Sequence, residues 1–402
     1  MNVAFFIHTM GRGGAEMALV NLANSLSEQG QKVTLYPILN TGDLSKKLSN
    51  DVDFKPIFNL PNFIKKRNVN KTGTLIKGND GLSLTSKLYA VLWRIFHKQI
   101  SLVGSRKVGR HDVYISYLEG PTCKFVADLR TNERKIAWVH VDLSREKKSE
   151  IFFKNIEENR KNFDCFDDVV AVSTDVKRSL QEYLKINNDI HVIYNIYNVS
   201  EIISKSRLPL SDRKRDKLYD DKINIISVGR LTPQKGYDRL VSAISQIKKS
   251  NVDLYSKLNI IIVGDGEQED SLLDLMNDYD VTDAIHLFGF TSNPYNFIAQ
   301  SDVFISSSRT EGFSTVAVEA TILGKYIVTT DCSGMKEILI SKTQGCIFEN
   351  STQGIVESLE HIGQNIESIK SSSVDNNIEA YMNSLDDHLQ LLLSHKESIK
   401  PQ

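Results

Sequence analysis

"INIISVGRLTPQKGYDRLVSAISQIKK", residues 223–249, decides the fold. Four apolar β-branched positions, Ile223, Ile225, Ile226 and Val228, with Asn224 and Ser227 among them, run into Gly229. A loop carrying Arg230, Pro233 and Lys235 follows, and after Gly236 apolar residues recur at helical spacing. That order is a buried strand, a turn and a crossover helix. The chain begins the same way. "NVAFFIH" (2–8) reads as a strand, "MGRGG" (10–14) as a glycine-rich turn, and "AEMALVNLANSLSEQG" (15–30) as a helix with Ala15, Leu19, Leu22 and Leu26 on one face.

From each start, strand-length apolar runs alternate with helix-period segments. "KVTLYPI", "DVYISYL", "KIAWVH", "DVVAVS" and "IHVIYN" follow the first; "LNIIIVG", "IHLFGF", "DVFISSS" and "KYIVTTD" follow the second. The expectation is an α/β chain of two Rossmann-like domains with parallel sheets, facing each other across a cleft. The first domain is placed at 1–197 and the second at 223–376. The charged segment near 197–222 is the linker, and 377–402 is an amphipathic C-terminal helix. Ligands of open parallel sheets bind beyond the carboxyl ends of the strands, so the cleft is the expected site.

Composition narrows the classes. A chain of 402 residues with a formal net charge of −1 is not built as a nucleic-acid surface. Cys123, Cys165, Cys332 and Cys346 show neither a C-x-x-C pair nor zinc spacing, as expected of reduced thiols. The N-terminal apolar run lacks a cationic leader and stops at His8, and no stretch reaches the roughly 20 apolar residues of a membrane span. The chain is therefore read as cytoplasmic, at most peripheral on the inner face of the cell membrane.

Gly11, Gly13 and Gly14 serve a phosphate-binding turn and an ordinary tight turn equally well. A dinucleotide site would place a third glycine where Glu16 stands and an acid at the end of the second strand, which instead ends "YPILN". NAD is disfavoured. "GDGEQ" (264–268) reads as a plain turn, and the aspartates of "DVD" (51–53) carry no weight as metal ligands.

In "SVGRLTPQKG", Arg230 and Lys235 leave the top of the second sheet together, and two fixed cations suit a diphosphate without a metal. In "SSSRTEGFSTVAVEA" (306–320), Ser314 or Thr315 caps a helix, Glu311 lies in the loop before it, and Glu319 lies one to two turns in. N–H groups at the helix start can hold phosphate. Glu319 can accept from both hydroxyls of a ribose, and Glu311 can meet a sugar. Two solvated loop cations and two unremarkable helix acids are the plainer alternative.

"HTMGRGGAE", "SVGRLTPQKG", "FGFTSN" and "SSSRTEGFSTVAVEA" together resemble the retaining, nucleotide-sugar-dependent family-4 glycosyltransferases of GT-B fold, over nearly the whole chain. The E-x7-E spacing of Glu311 and Glu319 is the specific element. The resemblance implies that the first domain binds the acceptor and the second the nucleotide sugar. It places Arg230 and Lys235 on the donor diphosphate, Glu319 on ribose and Glu311 at the donor sugar. It also places Gly13 and Gly14 in the glycine loop, the backbone near Phe290 at the base, and the Gly312–Phe313–Ser314–Thr315 turn beside the donor. His140, ending "KIAWVH", resembles the family's strand-end histidine and is given a positioning role. The C-terminal helix is implied to fold back onto the first domain.

No metal or other cofactor is expected; the nucleoside diphosphate sugar, UDP foremost, is a substrate. The expected reaction moves a hexosyl or N-acetylhexosaminyl unit to a membrane-associated glycan or polyprenyl-linked acceptor. The alternatives are a nucleotide-sugar epimerase on a similar scaffold and a non-catalytic sugar-nucleotide-binding protein.

One region is not accounted for by these motifs. Between Phe63 and Asp112, eleven Lys or Arg face two acids, a local excess of +9. Within it, Leu84, Leu88, Leu92 and Ile95 share a helical face, with Lys87, Arg94 and Lys98 opposite and Trp93 on the flank. An anionic membrane surface is one partner for such a helix; a core helix with a solvated basic face is the other reading.

Overall fold

The computed structural model describes residues 1–59, 84–210, 218–371 and 384–393. Lys65, Lys66, Arg67, Lys71 and Lys77 of the basic region lie outside them. The chain forms two compact units. One holds the described residues up to Tyr197 with the helix at 384–393, and the other runs from Asn198 to Ser371.

In the first unit, β1 (Asn2–Ile7), β2 (Lys32–Pro37), β3 (Asp53–Phe54), β4 (Val113–Ser116), β5 (Arg134–Val139), β6 (Asp168–Ala171) and β7 (Ile190–Val192) form a parallel sheet in the order 3-2-1-4-5-6-7. In the second, β8 (Ile223–Val228), β9 (Leu258–Val263), β10 (Ile285–Leu287), β11 (Val303–Ser306), β12 (Tyr326–Thr330) and β13 (Gly345–Phe348) are ordered 10-9-8-11-12-13, again parallel. Counted within each unit, both sheets reverse direction at the same place, between the first strand and the fourth. Ligands of open parallel sheets bind beyond the carboxyl ends of the strands at such a point.

Burial explains why these runs are strands. Val3 to Ile7 are fully buried, as are Ile225, Ile226 and Ile260 to Ile262. Helices cover both faces of a parallel sheet, so its strands carry near-continuous apolar runs rather than alternating ones. Around the second sheet, Leu240, Ile244 and Ile247 of the helix Tyr237–Ser250 join Ile355, Leu359 and Ile362 in one apolar core. The short edge strands β3 and β13 have no such run, and the sequence reading passes over both.

Four helices of the first unit matter below: α1 (Gly14–Glu28), α2 (Leu84–Ser105), α3 (Pro121–Asp128) and α4 (Ser384–Leu393). The α4 helix belongs to the first unit's core. Its His388 stacks on Trp138 at 5.0 Å and 21°, and Arg134 Nη1 donates to the Leu391 carbonyl at 2.6 Å. The proposed flank position of Trp93 is corrected: it is 1% exposed, in the core, while Leu88, Leu92 and Ile95 point to solvent.

Candidate active site

The second unit's switch point gathers the two motif loops. β8 and β11 are hydrogen-bonded neighbours, so the loop after each rises beside the other. Gly236 ends the first loop at φ +66°, and a Cβ there would lie 2.1 Å from the Ser307 carbonyl oxygen. Only glycine lets the backbones close so tightly. Around that contact the loops are laced together. Ser307 Oγ donates to the Lys235 carbonyl (2.9 Å), the Arg309 amide donates to the Gln234 carbonyl (2.7 Å), and Gln234 Nε2 donates to the Thr310 carbonyl (3.0 Å). The Arg309 guanidinium grips both oxygens of Asp238 at 2.7 and 2.6 Å. Its charge holds the Asp238 carboxyl below its ordinary range despite the opposing effect of burial, which is the largest single influence.

This frame sets Lys235 against Glu311. Lys235 Nζ donates to Glu311 Oε1 at 2.7 Å, and Ser308 Oγ donates to the same oxygen at 2.6 Å. Glu311 lies in the loop before the helix, as read from the sequence, and is 8% exposed. A carboxylate so removed from water needs these donors. Ser308 is itself fixed, its carbonyl accepting from Thr330 Oγ1 (2.6 Å) and from Cys332 Sγ (2.9 Å). Arg230 is exposed in the same loop as Lys235.

The helix after Glu311 runs Thr315–Ile322, with Gly312, Phe313 and Ser314 buried ahead of it. Ser314 is the N-cap, accepting from the Ala317 amide at 3.4 Å. Glu319 sits in the second turn, where its Oε1 accepts from Tyr295 OH at 3.1 Å. Burial first, and then the charge of Glu319, raises the Tyr295 phenol well above its ordinary value. Phe290 is 46% exposed in the loop after β10, two strands from the switch point. "GDGEQ" packs against the Arg230 loop, Leu231 donating to the Asp265 carbonyl (2.9 Å) and Gln268 to the Leu231 carbonyl (3.0 Å).

The first unit's switch point collects a different set. Gly13 is the N-cap of α1 without a side-chain cap, Gly14 is the first helical residue, and the Glu16 carboxylate folds over the turn. A Cβ on Gly13 would meet Glu16 Oε2 at 2.0 Å. His140 follows β5 and is 8% exposed; its amide donates to Glu119 Oε2 at 3.3 Å and its ring lies 4.6 Å from that of Tyr117. Burial, with His388 adding a repulsive charge, lowers its pKa to about 3. His140 is thus a neutral imidazole at ordinary pH. Burial beside the Tyr89 ring, 5.5 Å away, lowers His8 to about 4, and burial raises Glu119. Among the described residues, no group of three or more His, Cys, Asp or Glu could hold a metal ion.

The sequence reading named Lys235, Glu311 and Glu319 but not the residues that hold them. Ser308, Asp238, Arg309 and Tyr295 were missed because each partner lies some 3 to 76 positions away with no local periodicity to announce it. The serine run before Glu311 was the available signal.

Residues 12–201 match the model of Glycosyltransferase Family 4, and residues 210–378 match that of Glycosyl transferases group 1. The chain belongs to the family-4 glycosyltransferases. It is an enzyme of the transferase class with the two-domain, Rossmann-like GT-B fold. An uncharacterized glycosyltransferase of Haemophilus influenzae is 27% identical over 91% of each chain. One of Methanocaldococcus jannaschii is 28% identical, and this chain spans about half of it (52%). A Campylobacter jejuni protein named N-acetylgalactosamine-N,N'-diacetylbacillosaminyl-diphospho-undecaprenol 4-alpha-N-acetylgalactosaminyltransferase is 30% identical over 39% of this chain and 40% of its own. Anabaena Alr3699/HepE, solved in complex with UDP, shares the fold at a TM-score of 0.64 and 17% identity, covering 97% of this chain and all of that one.

Proposed function

We propose that this glycosyltransferase is retaining, uses a UDP-sugar, and moves a hexosyl or N-acetylhexosaminyl unit to a glycan or polyprenyl-linked acceptor without a metal. The observation that carries the reading is the Lys235–Glu311–Ser308 arrangement at the switch point. An incoming diphosphate competes with Glu311 for Lys235, and Arg230 supplies a second cation from the same loop. When Lys235 turns to phosphate, Ser308 keeps the Glu311 carboxylate in place to meet the donor sugar. Glu319 accepts from the ribose hydroxyls, Gly312 to Thr315 border the phosphates, and the backbone near Phe290 meets the base. His140, neutral and buried, is read as a positioning residue, with Gly13 and Gly14 shaping its unit's turn.

In the reaction the bond from sugar C1 to the diphosphate oxygen breaks and a bond from acceptor oxygen to C1 forms on the same face. The acceptor proton passes to the leaving phosphate, whose charge the two cations stabilise as it develops. The undecaprenol-linked substrate in the name of the Campylobacter relative supports the acceptor class, and the UDP complex of the Anabaena protein supports the nucleotide.

Thermal shift against a panel of nucleotide sugars tests the donor. Saturation at 100 times Kd stabilises by about 2.7 kcal/mol. A UDP-sugar is expected to give the largest shift, and NMR of the product to show the donor's anomeric configuration. An inverted product removes retention. Conversion of the donor to its epimer without acceptor replaces transfer with isomerisation.

A further inference from the structure

We infer that the outward face of α2 is a docking surface for an anionic lipid bilayer. Among the described residues fourteen large hydrophobic side chains stand exposed, and seven of them belong to this one helix. They are Leu88, Val91, Leu92, Ile95, Phe96, Leu102 and Val103, between 41% and 60% exposed. Leu88, Val91, Leu92, Ile95 and Phe96 recur at helical spacing up to the non-helical Phe96, and Leu102 and Val103 are exposed beyond it. A patch of this kind, unlike scattered surface leucines, marks an interaction site.

The helix cannot roll to hide it. On the opposite side Ala90, Trp93 and Ser101 are buried. His97 Nδ1 lies 2.7 Å from Asp128 Oδ2, and Ser101 Oγ donates to that oxygen at 3.0 Å. Gly104 presses so closely on α3 and the segment after β3 that a Cβ would lie 2.6 Å from the Phe125 ring and 2.8 Å from Ile57. The helix therefore packs one side against its own fold and leaves the other, apolar side exposed.

Charge selects the occupant of the other. No Asp or Glu occurs between Leu84 and Arg110. Lys87, one residue before Leu88, and Lys98, three after Ile95, are exposed at the edge of the apolar stripe and not opposite it as the sequence reading placed them, and Arg106 and Lys107 are exposed just past the helix end. A second copy docking by the same face would bring these cations against their own counterparts, which is repulsive. An anionic bilayer meets both needs. At 1.5 Å per residue the 22-residue helix is roughly 33 Å long and lies along the interface with its apolar side chains among the acyl chains and its cations at the head groups. No helix among the described residues is long and apolar enough to cross a membrane, so the contact is in the plane.

Cosedimentation of the full chain with phosphatidylcholine vesicles, with and without phosphatidylglycerol, tests this. Binding is expected only with phosphatidylglycerol, and salt is expected to release it. Each cation near an anionic surface is worth about 1 kcal/mol, a fivefold change, so Lys87→Gln with Lys98→Gln should weaken partitioning on the order of 30-fold. Leu92→Ser with Ile95→Ser should weaken it at least about tenfold. All four side chains are at the surface, and an unchanged melting temperature confirms that the variants fold. Equal binding to neutral vesicles, no binding to phosphatidylglycerol vesicles, or a dimer abolished by the serine pair would each overturn the inference. It does not rest on the proposed reaction: Glu311→Gln should bind vesicles as the parent does.

Discussion

Removing the Lys235 side chain separates what the Lys235–Glu311 pair does for stability from what it does for catalysis. Lys235→Ala leaves the Glu311 carboxylate 8% exposed and without its ammonium. Breaking a fully buried pair costs about 3–5 kcal/mol because a charge is left uncompensated. Here Lys235 retains 19% of its side-chain exposure, so water can partly replace it, and the Ser308 hydroxyl still donates to Glu311. A cost of about 2 kcal/mol is the reasonable figure. For a unit of this size that lowers the melting temperature by roughly 4–8 °C. Adding Glu311→Gln removes the stranded charge while its amide oxygen still accepts from Ser308. The double variant should therefore recover most of the loss, although transfer remains lost in both. Calorimetric melting of the parent, both single variants and the double variant gives the coupling directly. If Lys235→Ala melts with the parent, or the double variant melts below Lys235→Ala, the pair is not the buried, mutually dependent unit described.

Glu319→Ala should weaken UDP by roughly 10- to 150-fold, the worth of a charge-assisted hydrogen bond of about 1.5–3 kcal/mol. Glu311→Gln should leave UDP affinity unchanged or tighter while lowering turnover, since Lys235 no longer divides itself between carboxylate and phosphate; equal losses in calorimetric titration would refute the division of roles. Transfer should survive excess chelator, and activity restored only by added magnesium or manganese would contradict a diphosphate held by Arg230 and Lys235. His140 and His8 titrate near 6.5 when unfolded and at about 3 and about 4 when folded, so the unfolded chain binds more protons between those values. Stability should fall as pH drops from about 6.5 toward 4, and His140→Gln should shallow that slope in denaturant titrations; an unaltered slope would mean that His140 is not desolvated.

The sequence alone determined the strands that matter most. Parallel strands buried on both faces must be apolar nearly throughout, so "NVAFFI", "INIISV" and "LNIIIV" announce themselves, and a repeated strand–glycine turn–helix opening implies two domains. It also offered Lys235, Glu311 and Glu319 as candidates, through their place in the loops after two strands and the E-x7-E spacing that carries the family resemblance. What only the tertiary structure decided is how those charges are held. Strand order places β8 beside β11 across some 80 residues of sequence, and that adjacency brings Lys235 to Glu311, Ser307 to the Lys235 backbone and Arg309 to Asp238. The same is true of α2, whose apolar face reads in sequence either as a core contact or as an exposed surface. Packing of Ser101 and Gly104 against α3, with Trp93 in the core, buries the other side and leaves Leu88, Leu92 and Ile95 to solvent. Periodicity reports that a face is apolar; which apolar face finds a partner depends on contacts between residues far apart in the chain, and these leave no periodic trace.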